Sequence, residues 1–367
     1  MSTSKSPRPI RSAAAAAGGL TQSELTVPPA VSVVITTTGG LPLLLESLRA
    51  FDNQVGLPAG SVELVVVSNG SSETGLRALG SLDLATPLVV VEQARSGHAS
   101  ARNVGWRAAR GRLVVFLGAS LVAGPRLLAA HLEAHQAEER QLVLGQVTFD
   151  PIHEPSPWQA YDDAVLAKKY ARLGIDEDPS GLHNGDNFSL SRDLLVEMGG
   201  YRSTMSVNSD VDLGLRLREA GVRFVYRRDA EAFQNGGRDH GDWLRMHRIQ
   251  GRYEVAAYRQ DGYGGGLRSL IGCYHDRRLL IRLVVRLALI SPALEGGTVA
   301  AAAWVGAQAW KLQQRRLALL AMSCVANVLY WSGISEGLRS KRSFWRLVHE
   351  TRSSGARPYR RLKVKPQ

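Results

Sequence analysis

The sequence has few cysteines, and the apolar run near its start is weak. Cys273 and Cys324 are the only two cysteines among 367 residues, and they lie far apart. This pattern excludes a disulfide framework and a cysteine-based zinc site, and it is typical of a reduced, cytoplasmic protein. The first 30 residues are rich in Ser, Pro and Ala, and their apolar run is too weak for a signal peptide. We therefore predict that residues 1–30 form a disordered leader.

Net charge is almost absent from the central part of the chain. The formal net charge is +12, but residues 1–30 carry +2 of it. Residues 339–367 carry +9, because they contain ten Lys or Arg and one acidic residue, Glu350. The region between them is therefore nearly neutral. No aromatic-plus-basic recognition module accompanies the basic tail, so we expect no nucleic acid partner, with a nucleic-acid-binding tail as the alternative. We expect instead an anionic membrane surface, at about 1 kcal/mol per basic side chain near the lipid.

Residues 246–338 are predicted to form a helical region that contains one long hydrophobic run. Leu317 to Ile334 run for 18 residues without a charge, the minimum length for a membrane span, although several polar residues weaken it. Together with Thr298 to Trp310 it would form a re-entrant hairpin. An earlier helix carries a basic stripe beside an apolar face, which is typical of a helix in a membrane interface. This stripe consists of Arg278, Arg282 and Arg286. We expect a protein at the inner face of the cell membrane; the alternative is a soluble helical subdomain.

Between residues 31 and 245, apolar β-branched runs alternate with helical segments. Four runs are predicted to be buried strands: Val31–Ile35, Val62–Val67, Leu88–Val91 and Val114–Leu117. Their short spacing predicts an α/β domain over 31–245, with a mostly parallel sheet and helices on both faces. Ligands bind such sheets at the carboxyl ends of the strands. The turn that follows the fourth strand, Gly118-Ala119-Ser120, nevertheless has no charged side chain.

Acidic and imidazole side chains occur at two further places. Asp210 and Asp212 lie at the start of a predicted helix over 211–220, where the helix dipole favours ionised carboxylates. We assign a capping or packing role to Asp212 and treat Asp210 as the candidate catalytic carboxylate. His131 and His135 are one helical turn apart, but no third ligand is in view, so we interpret them as part of a solvated helix face.

Four stretches together carry a family resemblance over roughly residues 31–260: "VSVVITTTGG", "VELVVVSNGSS", "SGHASARNVGWRAARGRLVVFLGAS" and "NSDVDLGLRLREAG". In this order and spacing they resemble the family-2 inverting glycosyltransferases of the GT-A fold. The sequence departs from the family pattern at three places. Gly118 and Ser120 replace the family's Asp-x-Asp motif, Ser68 replaces a base-contacting aspartate, and Ser209 replaces a glutamate.

The resemblance implies transfer of a sugar from a UDP- or GDP-linked donor with inversion. Because the carboxy-terminal segment has the pattern of a membrane-facing region, we expect a glycan or lipid-linked acceptor of the cell envelope. Asp210 would deprotonate the acceptor hydroxyl as it attacks the anomeric carbon. The implied nucleotide-sugar contacts are Thr37, Ser68, Asn69, Gly70, Arg102, Asn103, Gly118 and Ser120. The implied acceptor or diphosphate region contains His183, Asp186, Asn187 and Asp212.

The missing Asp-x-Asp motif leaves the cofactor open. In the family these carboxylates hold Mg²⁺ or Mn²⁺, and a hard cation requires charged oxygen ligands. One interpretation is an enzyme that needs little metal and uses Arg102, His183 or Arg192 as its cation. A second is a metal held by Asp186 or Asp210. A third is a catalytically silent relative that binds a glycan, a lipid or a partner enzyme.

Overall fold

The computed structural model divides the chain into two compact units. The first, which we call the sheet unit, comprises Met1–Pro151 and Leu166–Gly236, and the second, the helical unit, comprises Ile152–Val165 and Gly237–Gln367. The structure describes residues 8–10, 28–39, 41–70, 73–94, 96–138, 140–149, 154–173, 186–203, 209–236, 239–259 and 266–353.

The sheet unit is built on nine strands in the order β1-β4-β3-β2-β5-β8-β7-β9-β6. The strands are β1 (Arg8–Ile10), β2 (Val31–Thr37), β3 (Val62–Asn69), β4 (Leu88–Gln93), β5 (Leu113–Gly118), β6 (Leu121–Ala123), β7 (Gln141–Phe149), β8 (Asn187–Ser191) and β9 (Arg223–Gln234). The helices are α1 (Leu41–Arg49), α2 (Glu73–Gly80), α3 (His98–Ala108), α4 (Leu127–Ala137), α5 (Pro157–Leu173), α6 (Arg192–Glu197) and α7 (Ser209–Glu219), with a 3₁₀ turn at Ala50–Asn53. The predicted α/β architecture is therefore present.

The four strands predicted from sequence form one parallel block of the sheet, and β7 and β9 form a second parallel pair. β4, β3, β2 and β5 pair in parallel, whereas β8 runs antiparallel to β5 with Asn187 opposite Leu117. The sheet as a whole is mixed, because β1, β6 and β8 each make antiparallel pairs. The antiparallel pairing of β8 brings its first residue to the carboxyl end of β5, where the functional site lies.

Both faces of the sheet are covered. Val33 and Ile35 point into one apolar cluster, whereas Val34 and Phe116 point into the other. Strands buried on both faces have nearly continuous apolar sequences, which is why these strands were predictable. Helix α3 lies so close to the sheet at Gly105 that an added Cβ would collide with Val34.

Three predicted boundaries change. Within the predicted disordered leader, Arg8–Ile10 pairs with β4 as an edge strand, while residues 1–7 and 11–27 lie outside the described residues. The α/β domain ends at 236 instead of 245, and the first turns of α5 belong to the helical unit. The predicted basic tail begins with a helix, and its residues 354–367 lie outside the described residues.

The helical unit is organised around one central helix. Its helices are α8 (His240–Tyr258), α9 (Gly266–Gly272), α10 (Leu279–Ala288), α11 (Pro292–Lys311), α12 (Arg315–Gly337) and α13 (Lys341–Ser353). Among the described residues, α12 is the one helix long and apolar enough to cross a bilayer. Most of it, including Trp331 and Ile334, is buried inside the helical unit. This burial favours the core-helix alternative over a span by Leu317–Ile334.

Candidate active site

A buried ion pair lies near the carboxyl ends of the central strands. Arg102 of α3 donates from Nη1 to Oδ1 of Asp210, which lies in the first turn of α7. The side chain of Arg102 is only 4% exposed, and that of Asp210 is 15% exposed. Breaking such a pair by removing one partner typically costs about 3–5 kcal/mol, because the other charge stays buried.

Aromatic rings surround the guanidinium of Arg102. Its Cζ lies 5.9 Å from the ring centroid of Phe116, 6.0 Å from that of Phe188 and 5.6 Å from that of Tyr201. Burial, the largest single cause, opposes the charged form, but Asp210, Tyr201 and Asp186 together outweigh it and raise the pKa of Arg102 above its ordinary value. The site therefore contains a permanent cation held in an apolar cage.

Asp186 brings a second carboxylate to the same place. The backbone N–H of Gly118 donates to the carbonyl of Asp186 at 2.9 Å, and a Cβ on Gly118 would lie 3.6 Å from Asp186 Oδ1. The Asp186 charge also contributes to the raised pKa of Arg102. Asp186, predicted to lie in the diphosphate region, is thus next to the turn from which the family's acidic motif is missing.

Sequence reasoning missed two members of the cluster, Tyr201 and His98. Burial raises the pKa of Tyr201 well above its ordinary value, and its hydroxyl hydrogen-bonds Asp210. Burial, and then the Arg102 charge, lower the pKa of His98 to about 4, so this imidazole is neutral at pH 7. His98 is distant in sequence from Asp210, whereas Tyr201 precedes it by nine positions. Two sequence features could have identified them. Tyr201 directly follows the Gly199-Gly200 turn, and His98 lies one helical turn before Arg102.

The predicted nucleotide contacts at the ends of β2 and β3 do lie side by side. Thr37 pairs in register with Ser68. Thr37 Oγ1 donates to the carbonyl of Gly39 at 2.7 Å, and Asn69 Oδ1 accepts from the Ser96 N–H at 2.8 Å. Gly70 has φ +77°, which favours glycine, and its N–H donates to the Gln93 carbonyl at 2.9 Å.

Ser68 differs from these neighbours. Its Oγ is buried and has no hydrogen-bond partner among the described residues. An unsatisfied buried hydroxyl costs about 1–3 kcal/mol. Ser68 therefore leaves an unsatisfied hydroxyl buried at the strand edge where the nucleotide was predicted to bind.

Two predicted contact residues have structural roles instead. Asn103 Nδ2 donates to the Tyr201 carbonyl at 2.7 Å and its Oδ1 accepts the Tyr201 N–H at 2.9 Å, so it positions the loop that carries Tyr201. Asn187 donates to the carbonyls of Gln146 and Ala230. It points away from the face that carries Phe188, because successive side chains of a strand alternate between faces.

The remaining predicted contacts are also engaged. Asp212 is buried and forms ion pairs with Arg202 at 2.8 Å and Arg216 at 3.0 Å, which is the packing role expected of it. Ser120 Oγ accepts a hydrogen bond from Gln234 Nε2 at 2.8 Å. His183 lies outside the described residues.

Arg192 is not part of the site, contrary to one of our interpretations. Its N–H donates to the Arg112 carbonyl and its Nε to the Ala109 carbonyl. Because β8 is antiparallel to β5, Arg192 lies at the amino end of β5, opposite the end that carries Gly118. Arg102 is therefore the cation, among those predicted, that the described structure brings to the cluster.

The interpretation of His131 and His135 as a solvated helix face is wrong. His131 is completely buried, with Nε2 3.0 Å from Asn187 Oδ1 and Nδ1 2.8 Å from Ser189 Oγ. His135 Nε2 is 2.9 Å from the same Ser189 Oγ. The two imidazoles satisfy the polar side chains of β8 from the face opposite the ion pair.

The model for glycosyl transferase family 2 matches residues 32–199 of the chain. This region of the chain matches glycosyl transferase family 2. The matched range runs from β2 to the turn after α6, so it includes Arg102 and Asp186 and ends before Asp210. The resemblance noted in the sequence is confirmed.

This family-2 domain has relatives among curated proteins and solved structures. It is 34% identical over 247 residues to the uncharacterized glycosyltransferase YfnE of Bacillus subtilis strain 168, with 54% of this chain and 62% of that protein covered. It is 33% identical over 230 residues to the validoxylamine A glucosyltransferase of Streptomyces hygroscopicus subsp. limoneus, covering 55% of this chain and 51% of the relative. The chain thus spans about half to two-thirds of the length of these relatives.

A solved structure confirms the fold. The mannosyltransferase PcManGT from Pyrobaculum calidifontis, in complex with GDP-Man and Mn²⁺, matches with a TM-score of 0.53 and 20% identity. The match covers 85% of this chain and 88% of that protein. The GT-A-like α/β class predicted from sequence is therefore correct.

The described residues of this family-2 domain do not fit the usual divalent cation. Within the part of the chain that the structure describes, no three His, Cys, Asp or Glu side chains come together as a metal-binding group. Asp210 is bound by Arg102, and Ser120 offers a neutral hydroxyl that is already bonded to Gln234. A hard cation would find one further carboxylate, Asp186, at the turn.

Proposed function

We propose that this protein transfers a sugar from a UDP- or GDP-linked donor to a glycan or lipid-linked acceptor, with inversion at the anomeric carbon and with an arginine in place of a metal ion. The single observation that carries the proposal is the Arg102–Asp210 pair beside the Asp186–Gly118 contact. This pair combines a carboxylate and a cation near the strand ends where α/β sheets bind ligands.

Asp210 is the proposed base. Its carboxylate would take the proton from the acceptor hydroxyl while that oxygen attacks the anomeric carbon from the side opposite the leaving group. The bond from the anomeric carbon to the diphosphate oxygen then breaks, and the electron pair leaves with the nucleoside diphosphate. Arg102 and Tyr201 hold the carboxylate in place, and Asp210 is the partly exposed member of the pair.

Arg102 supplies the positive charge in this proposal. Negative charge grows on the departing diphosphate and is stabilised by a cation preorganised in a site of low polarity. The surrounding rings cannot accept a proton, and the pKa of Arg102 is raised, so its charge persists over the whole working pH range. Ser68 is the proposed contact to the nucleoside, because its hydroxyl lacks a protein partner among the described residues.

The relatives support the substrate class. One is called a glucosyltransferase, and the matched mannosyltransferase binds GDP-Man. We further propose that the acceptor is a cell-envelope glycan or lipid-linked sugar and that the protein works at the inner face of the cell membrane. Helices and basic residues of the helical unit support this localisation.

The test is a donor screen with the variant Asp210→Asn. Thermal shifts are measured with UDP- and GDP-sugars, with and without Mn²⁺, followed by transfer assays on membrane extracts. We expect a donor that protects the protein equally without Mn²⁺, and a β-to-α or α-to-β change of the anomer by NMR. Asp210→Asn should retain donor protection and lose transfer by at least about 10²-fold, as expected for a general base.

Two further variants keep this test decisive. Asp210→Asn leaves Arg102 buried without its anionic partner, so the double variant Arg102→Met/Asp210→Asn, which removes both charges, should be the more stable protein and still be inactive. Asp193 is an exposed acid in the first turn of α6, and Asp193→Asn serves as the matched control with unchanged turnover. Full turnover by Asp210→Asn would refute the base assignment.

The same ion pair favours one second candidate, a catalytically silent binding protein. An Asp210 carboxylate that stays paired with Arg102 would only hold α7 against α3, as a structural ion pair does. In that case a donor or glycan still protects the protein, but no transfer to any acceptor is detected and Asp210→Asn changes stability alone.

A further inference from the structure

Helix α10 of the helical unit and the turn that follows it expose a row of large apolar side chains. This leucine row consists of Leu279, Leu280, Leu283, Leu287 and Ile290, each at least half exposed. The opposite face of α10 is buried through Ile281, Val285 and Ala288, and it packs in the same cluster as Trp331. One face of the helix is thus packed, while the leucine row, with Arg286 beside it, is uncovered among the described residues.

The helix is fixed and cannot simply turn its leucines inward. The hydroxyl of Tyr274 donates to the Arg282 carbonyl at 2.9 Å, and the guanidinium of Arg286 lies 5.8 Å from the ring centroid of Trp345. Rotation of α10 would break both contacts and expose Val285. An apolar surface of this kind marks a binding site for a protein or a membrane.

Charge distinguishes between these two occupants. Residues 277–335 contain seven Lys or Arg and a single acid, Glu295. Glu295 is buried and is bound by Arg248 and by Ser332, so it does not offset the positive charge of the exposed surface. In a symmetric dimer built on α10 the same arginines would meet across the axis and repel. An anionic lipid surface complements both the leucines and the arginines.

We propose that the leucine row is the membrane-contact surface of this protein, lying in the interface of an anionic bilayer. Helix α12 then remains a core helix and does not span the bilayer. The inference deepens the proposed localisation at the membrane but does not depend on the glycosyl transfer chemistry. It assigns the attachment to the apolar face of α10 rather than to the 18-residue charge-free segment.

The experiment is vesicle flotation with the full-length protein and no donor present. Vesicles of phosphatidylcholine alone are compared with vesicles that also contain phosphatidylglycerol. We expect binding to the anionic vesicles, at least tenfold weaker for Leu283→Ser/Leu287→Ser. The matched control Val196→Ser replaces an apolar side chain of similar exposure on α6 of the sheet unit and should bind as the original protein does.

The outcomes separate the alternatives. Bound protein that alkaline carbonate extracts supports an interfacial helix, whereas resistance to carbonate would indicate a span and overturn the proposal. Equal binding of the leucine variant, or no binding to either vesicle, would also overturn it. If the variant instead changes a dimer into a monomer in light scattering, the leucine row is a protein interface. Asp210→Asn should float like the original protein, so this test fails or succeeds independently of the transfer assay.

Discussion

At the scale of single residues, two groups of polar side chains inside the sheet unit lie on opposite faces of the sheet. Arg102, Asp210 and Tyr201 form the charged cluster on one face. On the other, His131 and His135 are neutral and buried against Ser189. Both groups consist of ionisable side chains. The Arg102–Asp210 pair is charged, whereas the two histidines are neutral.

The histidine group makes stability sensitive to acid. Burial is the main cause that lowers the pKa of His131, and likewise of His135, to about 4, compared with 6.5 for an exposed histidine. Between about pH 6.5 and 4 the unfolded chain therefore binds more protons than the folded one. Stability that is complete above pH 6.5 is lost as the pH falls, at up to about 1.4 kcal/mol per pH unit for each histidine.

Urea unfolding from pH 7 to pH 4.5 measures this effect. His131→Gln should lower stability at pH 7 but make the decline towards pH 4.5 less steep, because one titrating group is removed. Gln136→Ala, which changes an exposed and non-titrating side chain of the same helix α4, should leave the slope unaltered. An identical pH slope in the His131 variant would contradict the assignment.

At the scale of elements, the predictable strands were those with continuous apolar sequences. The runs that became β2 to β5 were recognised because burial on both faces leaves little room for polar residues. β8 was missed because its sequence, Asn-Phe-Ser-Leu-Ser, places polar side chains in the interior. Their partners, His131 and His135, lie more than 50 positions earlier, and no local pattern reveals such a pairing.

The site shows the same division. Asp210, Arg102 and Asp186 were named from the sequence, and the structure brings the three side chains together. Asn103 and Asn187 were assigned to ligands because their backbone partners, on Tyr201, Gln146 and Ala230, are set by tertiary structure. A motif identifies the residue type at a position, but not the direction in which its side chain points.

The contact between α8 and α12 depends on small residues. An added Cβ at Gly333 would collide with the Arg248 backbone, whereas one at Gly297 of α11 meets nothing within 4 Å. Gly333→Ala should therefore destabilise the helical unit by several kcal/mol, since backbone atoms must move. Gly297→Ala should be neutral or stabilise by about 0.5–1 kcal/mol, because alanine is the better helix former.

Tryptophan fluorescence during urea unfolding reports on this pair of variants. Of the seven tryptophans, all but Trp106 lie in the helical unit, so the signal follows that unit. Equal midpoints for Gly333→Ala and Gly297→Ala would show that the two helices do not pack as closely as described.

At the scale of the whole molecule, the helical unit is discontinuous in sequence. Its segment 152–165 precedes β8, and the rest follows β9. Trp243 Nε1 donates to Asp162 Oδ2 at 3.0 Å, and the Trp243 ring meets that of Tyr161 edge-on with centroids 6.1 Å apart. Trp158 lies against His240, at 4.8 Å between centroids.

A chain truncated after Gly236 should therefore be poorly soluble. It would keep Trp158 and Tyr161 but lose Trp243 and His240, so the start of α5 would expose aromatic surface. We expect aggregation by size-exclusion chromatography, and partial recovery of monomer when the truncated chain also carries Trp158→Ser/Tyr161→Ser. A monodisperse truncated protein without these substitutions would contradict the division into units.

This interrupted arrangement also affects how the protein is made. Trp158 leaves the ribosome well before Trp243, and at about 5–20 residues per second the delay is roughly 4 to 17 s. During that interval the nascent chain can form most of its sheet. The aromatic side chains at the start of α5 remain exposed, because their partners on α8 have not yet been translated. Chaperone binding to the emerging polypeptide should accordingly concentrate on residues 154–165 and end once α8 has been synthesised.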